Sequence, residues 1–237
     1  SMIIAYSDTQ EKAYRIAAET FASYWSRITG EEACAEPVSD GDMLPEGDLV
    51  LIGSDAGNPL THQLVKRRLI NRFGLRYGSD DYHLLSVAEN GRNILVIAGG
   101  CGRSAIYGVY DFFRNRGKVE YFWDGDIFRH RGPLDMTNLD RIEKPRFKYR
   151  GLRYFAHRGA HRFFPEMWSL EEWKREIDWM LKRRFNIFML RIGTDDLFQR
   201  AFNLPYPPED KMDPDDPNLP HARTALWPLR HRGKMRE

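Results

Sequence analysis

The alternation of apolar and polar positions divides the chain into segments of different period. Residues 3–6 are a short apolar run. Behind them Ala13, Ile16, Ala17, Phe21, Tyr24 and Ile28 recur at helical spacing, and Gly30 ends the pattern. Ser7, Asp8 and Thr9 stand ahead of that helix as expected caps. Residues 48–53 form a continuous apolar strand of the buried kind. Pro59 suits a helix first turn, and a helix is expected over 62–70. Two strands, 81–88 and 93–98, flank Glu89-Asn90-Gly91, a tight-hairpin signal. A second long helix follows Gly99-Gly100-Cys101-Gly102, with Ile106, Val109, Tyr110 and Phe113 on its inner face and Gly117 at its end.

A new pattern begins at Pro145. Residues 149–156 read as a strand, and residues 186–192 as a second one. Between them Ser169 and Glu172 form a capping box ahead of a helix whose buried stripe is expected to be Leu170, Trp173, Ile177, Met180 and Leu181. Strand, helix and strand, with polar residues crowded after each strand, is the opening of a β/α barrel. In such barrels the site lies at the carboxyl ends of the strands. Residues 203–221, rich in proline and acids, read as a long surface loop, and residues 227–237 as the start of another helix.

The resulting expectation is an α/β chain in three parts. Residues 1–122 form a small α/β sandwich domain, 123–144 a linker rich in Gly, Arg and Asp, and 145–237 the first β/α units of an incomplete TIM-type barrel. An eight-fold barrel takes about 250 residues, and only residues 143–237 follow the opening, so the chain is expected to be the front part of an enzyme. The exposed strand edge of such a part predicts self-association.

Composition narrows the function classes. An apolar fraction of 42% and an aromatic fraction of 13% support folded cores. Thirty-six basic against 34 acidic residues give a net charge of +2, with no signature of nucleic-acid binding. No apolar run reaches the ~20 residues of a membrane span. Cys34 and Cys101 lie far apart without metal-ligand spacing, which predicts free thiols, no metal site and a reducing, cytoplasmic setting.

Four groups of residues carry candidate chemistry. The turn Gly99 to Gly108, GGCGRSAIYG, could cradle a phosphate on helix amides, or could be a tight turn for close strand–helix packing. It lacks the Walker lysine, and Ala105 stands where a dinucleotide fingerprint has its third glycine. No cofactor is expected. His157, Arg158, His161 and Arg162 follow the first barrel strand and suit sugar or anion binding. Gly159 opposes the helix that would bring His157 and His161 together on a metal. Asp195 and Asp196 end the second strand. Adjacent carboxylates point in different directions, whereas glycoside hydrolysis needs two set about 5–9.5 Å apart across the bond, so loop anchoring or contact with sugar hydroxyls is expected of this pair before catalysis.

Several of these motifs resemble known glycoside hydrolases that carry a small α/β domain ahead of a catalytic barrel. Pro145-Arg146-Phe147-Lys148-Tyr149-Arg150-Gly151-Leu152, His161-Arg162-Phe163-Phe164, and Phe185-Asn186-Ile187-Phe188 with Thr194-Asp195-Asp196 resemble the barrel opening of the family-20 β-N-acetylhexosaminidases. The run Trp173-Lys174-Arg175-Glu176-Ile177-Asp178-Trp179-Met180 and Phe198-Gln199-Arg200 are similar to the family-89 α-N-acetylglucosaminidases. The segment from Ile97 to Phe112 is similar to the end of the N-terminal domain shared by these families and by α-glucuronidases. The resemblance implies a carbohydrate substrate, with Arg150 holding sugar hydroxyls and the catalytic carboxylates on later barrel strands. It makes Arg150, His157, Arg158, Asp195 and Asp196 the candidate substrate-binding residues. His157 and Gly159 stand where family 89 has Asn and Cys and depart from its pattern. A non-catalytic carbohydrate-binding or interaction module is the alternative.

Overall fold

A computed structural model describes residues 1–153 and 169–189, with the side chains of Arg153 and Met189 left out. The chain divides into two compact units: Ser1–Lys148 with Leu181–Arg184, and Tyr149–Met180 with Phe185–Glu237.

The first unit is built on a six-stranded sheet in the order β2-β1-β3-β5-β4-β8. Strands β1 (Met2–Tyr6), β2 (Ala33–Pro37), β3 (Leu49–Ile52) and β5 (Arg92–Gly99) run parallel; β4 (Tyr82–Glu89) and β8 (Asp140–Glu143) are antiparallel to their neighbours. Period-two alternation decides which residue faces which helix. Ile4, Val50, Ile52, Leu95 and Ile97 pack with α1 (Lys12–Thr29) and α3 (Gly102–Asn115). Ala5, Leu49, Leu51, Ile94 and Val96 pack with α2 (Pro59–Lys66). The unit is therefore a sheet covered on both faces, which is why β3 and β5 read as unbroken apolar runs.

Local signals are realised where they are steric. Gly30 takes φ +77° and its N–H closes on the Ser26 carbonyl at 2.9 Å, ending α1. Asn90 and Gly91, at φ +50° and +78°, form the two-residue turn between β4 and β5. Asn58 caps α2, accepting the Leu60 N–H at 2.9 Å, with Pro59 next to it.

Other expectations are corrected. The cap of α1 is Glu11, without a side-chain cap bond, and not Ser7, Asp8 or Thr9. The helix expected over 62–70 ends at Lys66, because Arg68 takes φ +61° and the Arg68 and Leu69 amides bond back to Val65 and Leu64 at 3.0 Å each. The stretch 123–144, expected to be a linker, contains structure. Its residues Gly125–Phe128 form β7, paired with β6 (Val119–Phe122), and Asp140–Glu143 form β8 against β4. Edge strand β8, Asp-Arg-Ile-Glu, has one apolar residue and takes its order from the backbone groups of β4.

In the second unit, β9 (Gly151–Arg153) and β10 (Ile187–Met189) pair in parallel across α4 (Leu170–Lys182), in register Ile187 to Gly151. A parallel pair joined through a helix is one βαβ element; a barrel is not established by it. The capping box holds: Ser169 N–H donates to Glu172 Oε2 at 2.6 Å, and Glu172 N–H to Ser169 Oγ at 3.3 Å. The expected stripe holds in part, with Met180 buried and Trp173 and Leu181 half-buried. Leu170 is 68% exposed and Ile177 49%, while Glu176 and Met180 are buried. Trp173 meets Phe188 edge-on at 5.6 Å.

Candidate functional site

The expected sugar-binding residues divide into two sets. His157, Arg158, Asp195 and Asp196 lie outside the described residues. Arg150 is described, and it stands immediately before β9, at the amino end of the strand. Its backbone is held on both sides by Asn186: Arg150 N–H donates to Asn186 Oδ1 at 2.8 Å, and the Arg150 carbonyl accepts from the Asn186 and Ile187 amides at 2.8 and 3.0 Å. Gly151 is in contact with Ile187, where a Cβ would have no room. The Arg-Gly pair thus sets the register of β9 on β10. The carboxyl ends, where barrel chemistry is done, lead in sequence to His157 and Arg158 on one strand and to Asp195 and Asp196 on the other.

The glycine turn lies at the carboxyl edge of the parallel strands, where open α/β sheets bind ligands. Here that edge is occupied by the protein itself. Gly102 N–H donates to Glu11 Oε1 at 3.1 Å, Gly100 N–H to the Asp81 carbonyl at 2.8 Å, and Cys101 N–H to Ser104 Oγ at 3.1 Å. A Cβ on Gly99 would come within 2.6 Å of the Ala105 nitrogen, and one on Gly102 within 2.9 Å of the Ala13 Cβ. These glycines serve close packing, the second of the two readings of the turn. Beside it, Tyr14 lies so near Gly57 that a Cβ there would stand 2.5 Å from its hydroxyl. Burial, then the charges of Glu11 and Cys101, push the Tyr14 phenol up to about 12, so it stays protonated at neutral pH.

Buried polar side chains with no periodic signal in the sequence meet charged partners that reach in from the surface. The side chain of Asp111, 2% exposed, accepts from Tyr82 Oη at 2.5 Å and from Asn115, with Arg141 Nε at 3.2 Å and Arg114 at 3.8 Å. Arg184 donates to the same Tyr82 hydroxyl at 3.2 Å. Asp81 receives the Arg76 guanidinium in a fork, Nε at 2.9 Å and Nη2 at 2.7 Å. Asp80 receives Arg103 at 3.0 and 2.7 Å. His83 accepts the Gly74 amide on Nδ1 at 3.2 Å, which assigns its proton to Nε2, 2.6 Å from Asp140 Oδ1. A buried carboxylate needs such partners to remain charged. Among the described residues no three His, Cys, Asp or Glu side chains converge on a metal position. Among the described residues no helix is long and apolar enough to cross a membrane.

Over 125 residues, 53% of its length, the chain is 25% identical to human α-N-acetylglucosaminidase. Its fold is similar to that of a family 115 4-O-methyl-α-glucuronidase with specificity for decorated arabinogalactans, with TM-score 0.54, 15% identity and 78% of this chain covered. The sequence match supports a relationship to glycoside hydrolases, and the structural match shows a similar fold. A family 89 glycoside hydrolase from Clostridium perfringens aligns over 84% of the chain at 14% identity with TM-score 0.48. No family model matches the chain. The chain spans 16% of the length of the human enzyme and 24% of the α-glucuronidase.

Proposed function

We propose that the protein to which this chain contributes hydrolyses glycosidic bonds, of hexosaminides or related sugars, and that this chain alone is inactive. The observation that carries the reading is a parallel βαβ element, β9–α4–β10, behind an α/β unit, in a chain similar to α-N-acetylglucosaminidase. In this reading β9 and β10 open the catalytic barrel. His157, Arg158, Asp195 and Asp196 follow their carboxyl ends in sequence and bind substrate, and Arg150, although it stands at the amino end of β9, contributes to sugar binding as in the family-20 enzymes that its motif resembles. The acid and the nucleophile or base come from later strands, since cleavage needs two positioned carboxyl groups.

A panel of aryl glycosides, with both anomers of N-acetylglucosaminide and of glucuronide, tests this on the present chain and on the protein made from its native gene. Turnover by the native product alone is the expected result. Turnover by the present chain that disappears in Asp195→Asn/Asp196→Asn would make that pair catalytic and overturn the inactive-part reading. Saturable sugar binding without turnover by either would favour a carbohydrate-binding module.

A further inference from the structure

The first unit includes four residues from far along the sequence, Leu181–Arg184, and the way Lys182 is held there goes beyond packing. Lys182 Nζ lies 3.0 Å from both carboxylate oxygens of Asp126 in β7. Tyr24 of α1 donates its hydroxyl to the same carboxylate. The Tyr110 and Tyr121 rings stand 5.8 and 5.9 Å from the ammonium, within cation–π range, and Tyr121 is fixed by its hydroxyl bond to the Tyr110 carbonyl at 2.7 Å. The side chains of Lys182 and Asp126 are 17% and 12% exposed. A carboxylate, a phenol and two aromatic faces around one cation form a receptor for an alkylammonium group.

We propose that Tyr24, Tyr110, Tyr121 and Asp126 form an ammonium-binding socket, and that Lys182 is its internal ligand, completing the first unit. The neighbouring residues reinforce the insertion. Arg183 donates to the Tyr121 carbonyl, and Arg184 reaches Tyr82. Around the socket Lys182 and Arg183 bring positive charge and Asp126 negative charge, and Tyr121 also feels Arg114 and Asp111 of α3. The ligand class is a primary alkylammonium, and the three consecutive cations match three separate acceptors.

Chemical rescue on the full chain tests the socket. Lys182→Ala removes the atoms of n-propylammonium. Hydrogen exchange of amides in β6 and β7 should rise about tenfold, as for an opening confined to one substructure, while β1, β3 and β5 change little. Excess n-propylammonium should restore protection in this variant and leave the unsubstituted chain unaffected, and the neutral n-propanol should fail. Equal rescue by the alcohol would show simple void filling and overturn the proposal, as would unchanged exchange in Lys182→Ala. If Lys182→Ala does not fold, the isosteric pair decides. Lys182→Met leaves Asp126 buried against an apolar stem and should lose protection, and Asp126→Asn/Lys182→Met should regain it. Equal protection in Lys182→Met and the unsubstituted chain would overturn the charge-recognition argument.

Discussion

The carboxylate of Glu11 receives the backbone N–H of Gly102 at 3.1 Å, across 91 positions of sequence. Glu11 occupies the cap position of α1, yet its carboxylate bonds the first amide of α3, whose own cap position is Cys101. Its negative charge lies on the positive end of α3, the position that a ligand phosphate takes in dinucleotide-binding folds. Glu11→Ala should lower stability by about 1 kcal/mol, the usual worth of an N-terminal capping group, read as a lower urea midpoint. ATP or NAD should give no thermal shift in the unsubstituted chain.

Gly100 and Gly102 should respond differently to alanine. A Cβ on Gly100 would meet the carbonyl oxygens of Arg76 and Ser79 at 2.5 Å, and backbone cannot swing away. Gly100→Ala should cost about 1–3 kcal/mol, the range of overpacking. Gly102 opens α3 and faces side chains, Ala13 Cβ and Glu11 Oε2 each at 2.9 Å, which give way more readily than backbone carbonyls. Gly102→Ala should fall well below Gly100→Ala in cost when both are measured by denaturant unfolding.

Arg184 closes α4 at φ +62°, with its own amide on Leu181 at 3.0 Å and that of Phe185 on Met180 at 2.9 Å. Glycine is the usual residue in this conformation. The arginine is kept there by its hydroxyl partner Tyr82. Arg184→Ala should lose the bond and keep the strain, whereas Arg184→Gly loses the bond and relieves it. The glycine variant should be the more stable of the two by about 1 kcal/mol, and both should melt below the unsubstituted chain.

Asp81 supplies an acid-sensitive contribution. Burial alone would raise its carboxyl, but the Arg76 fork, the Arg76 amide and Ser79 outweigh burial and hold it below the usual carboxylate range. A depressed folded value means that the contribution is fully present above about pH 4, the unfolded aspartate value, and is lost as pH falls through the folded one. Asp81→Asn should therefore be less stable at neutral pH and should show a shallower loss below about pH 4 in acid titrations of the urea midpoint.

Arg150 and Asn186 should separate function from register. Asn186→Ala removes the side-chain acceptor of the Arg150 amide and should act on stability by about 1 kcal/mol. Arg150→Ala keeps all three backbone bonds. In the native gene product it should lower kcat/KM by about ten- to a hundredfold, as for loss of a hydrogen bond to a charged group, with little change in melting. Equal losses of activity and stability would make the guanidinium structural.

The sequence by itself determined what short-range sterics determine. Gly30 stops α1, Asn90-Gly91 folds β4 onto β5, Pro59 starts α2 beside Asn58, and Ser169 with Glu172 opens α4. Each is settled within a few residues by allowed dihedrals or a local hydrogen bond. The apolar runs of β3 and β5 declared themselves because strands covered on both faces need no alternation. The edge strands β2 and β8 left no such trace. Their sequences, Ala-Cys-Ala-Glu-Pro and Asp-Arg-Ile-Glu, are ordered by backbone groups on β1 and β4.

The long-range polar sites were decided by tertiary structure. Nothing within a few positions of Asp111, Glu11 or Lys182 announces Arg141, Gly102 or Asp126 as its partner. A buried charge is stable only where distant elements bring its counter-charge to hydrogen-bond distance. The inward face of α4 was settled in the same way. Helical period placed Trp173 and Met180 inward, but only tertiary packing decides that Glu176 is buried and Ile177 exposed.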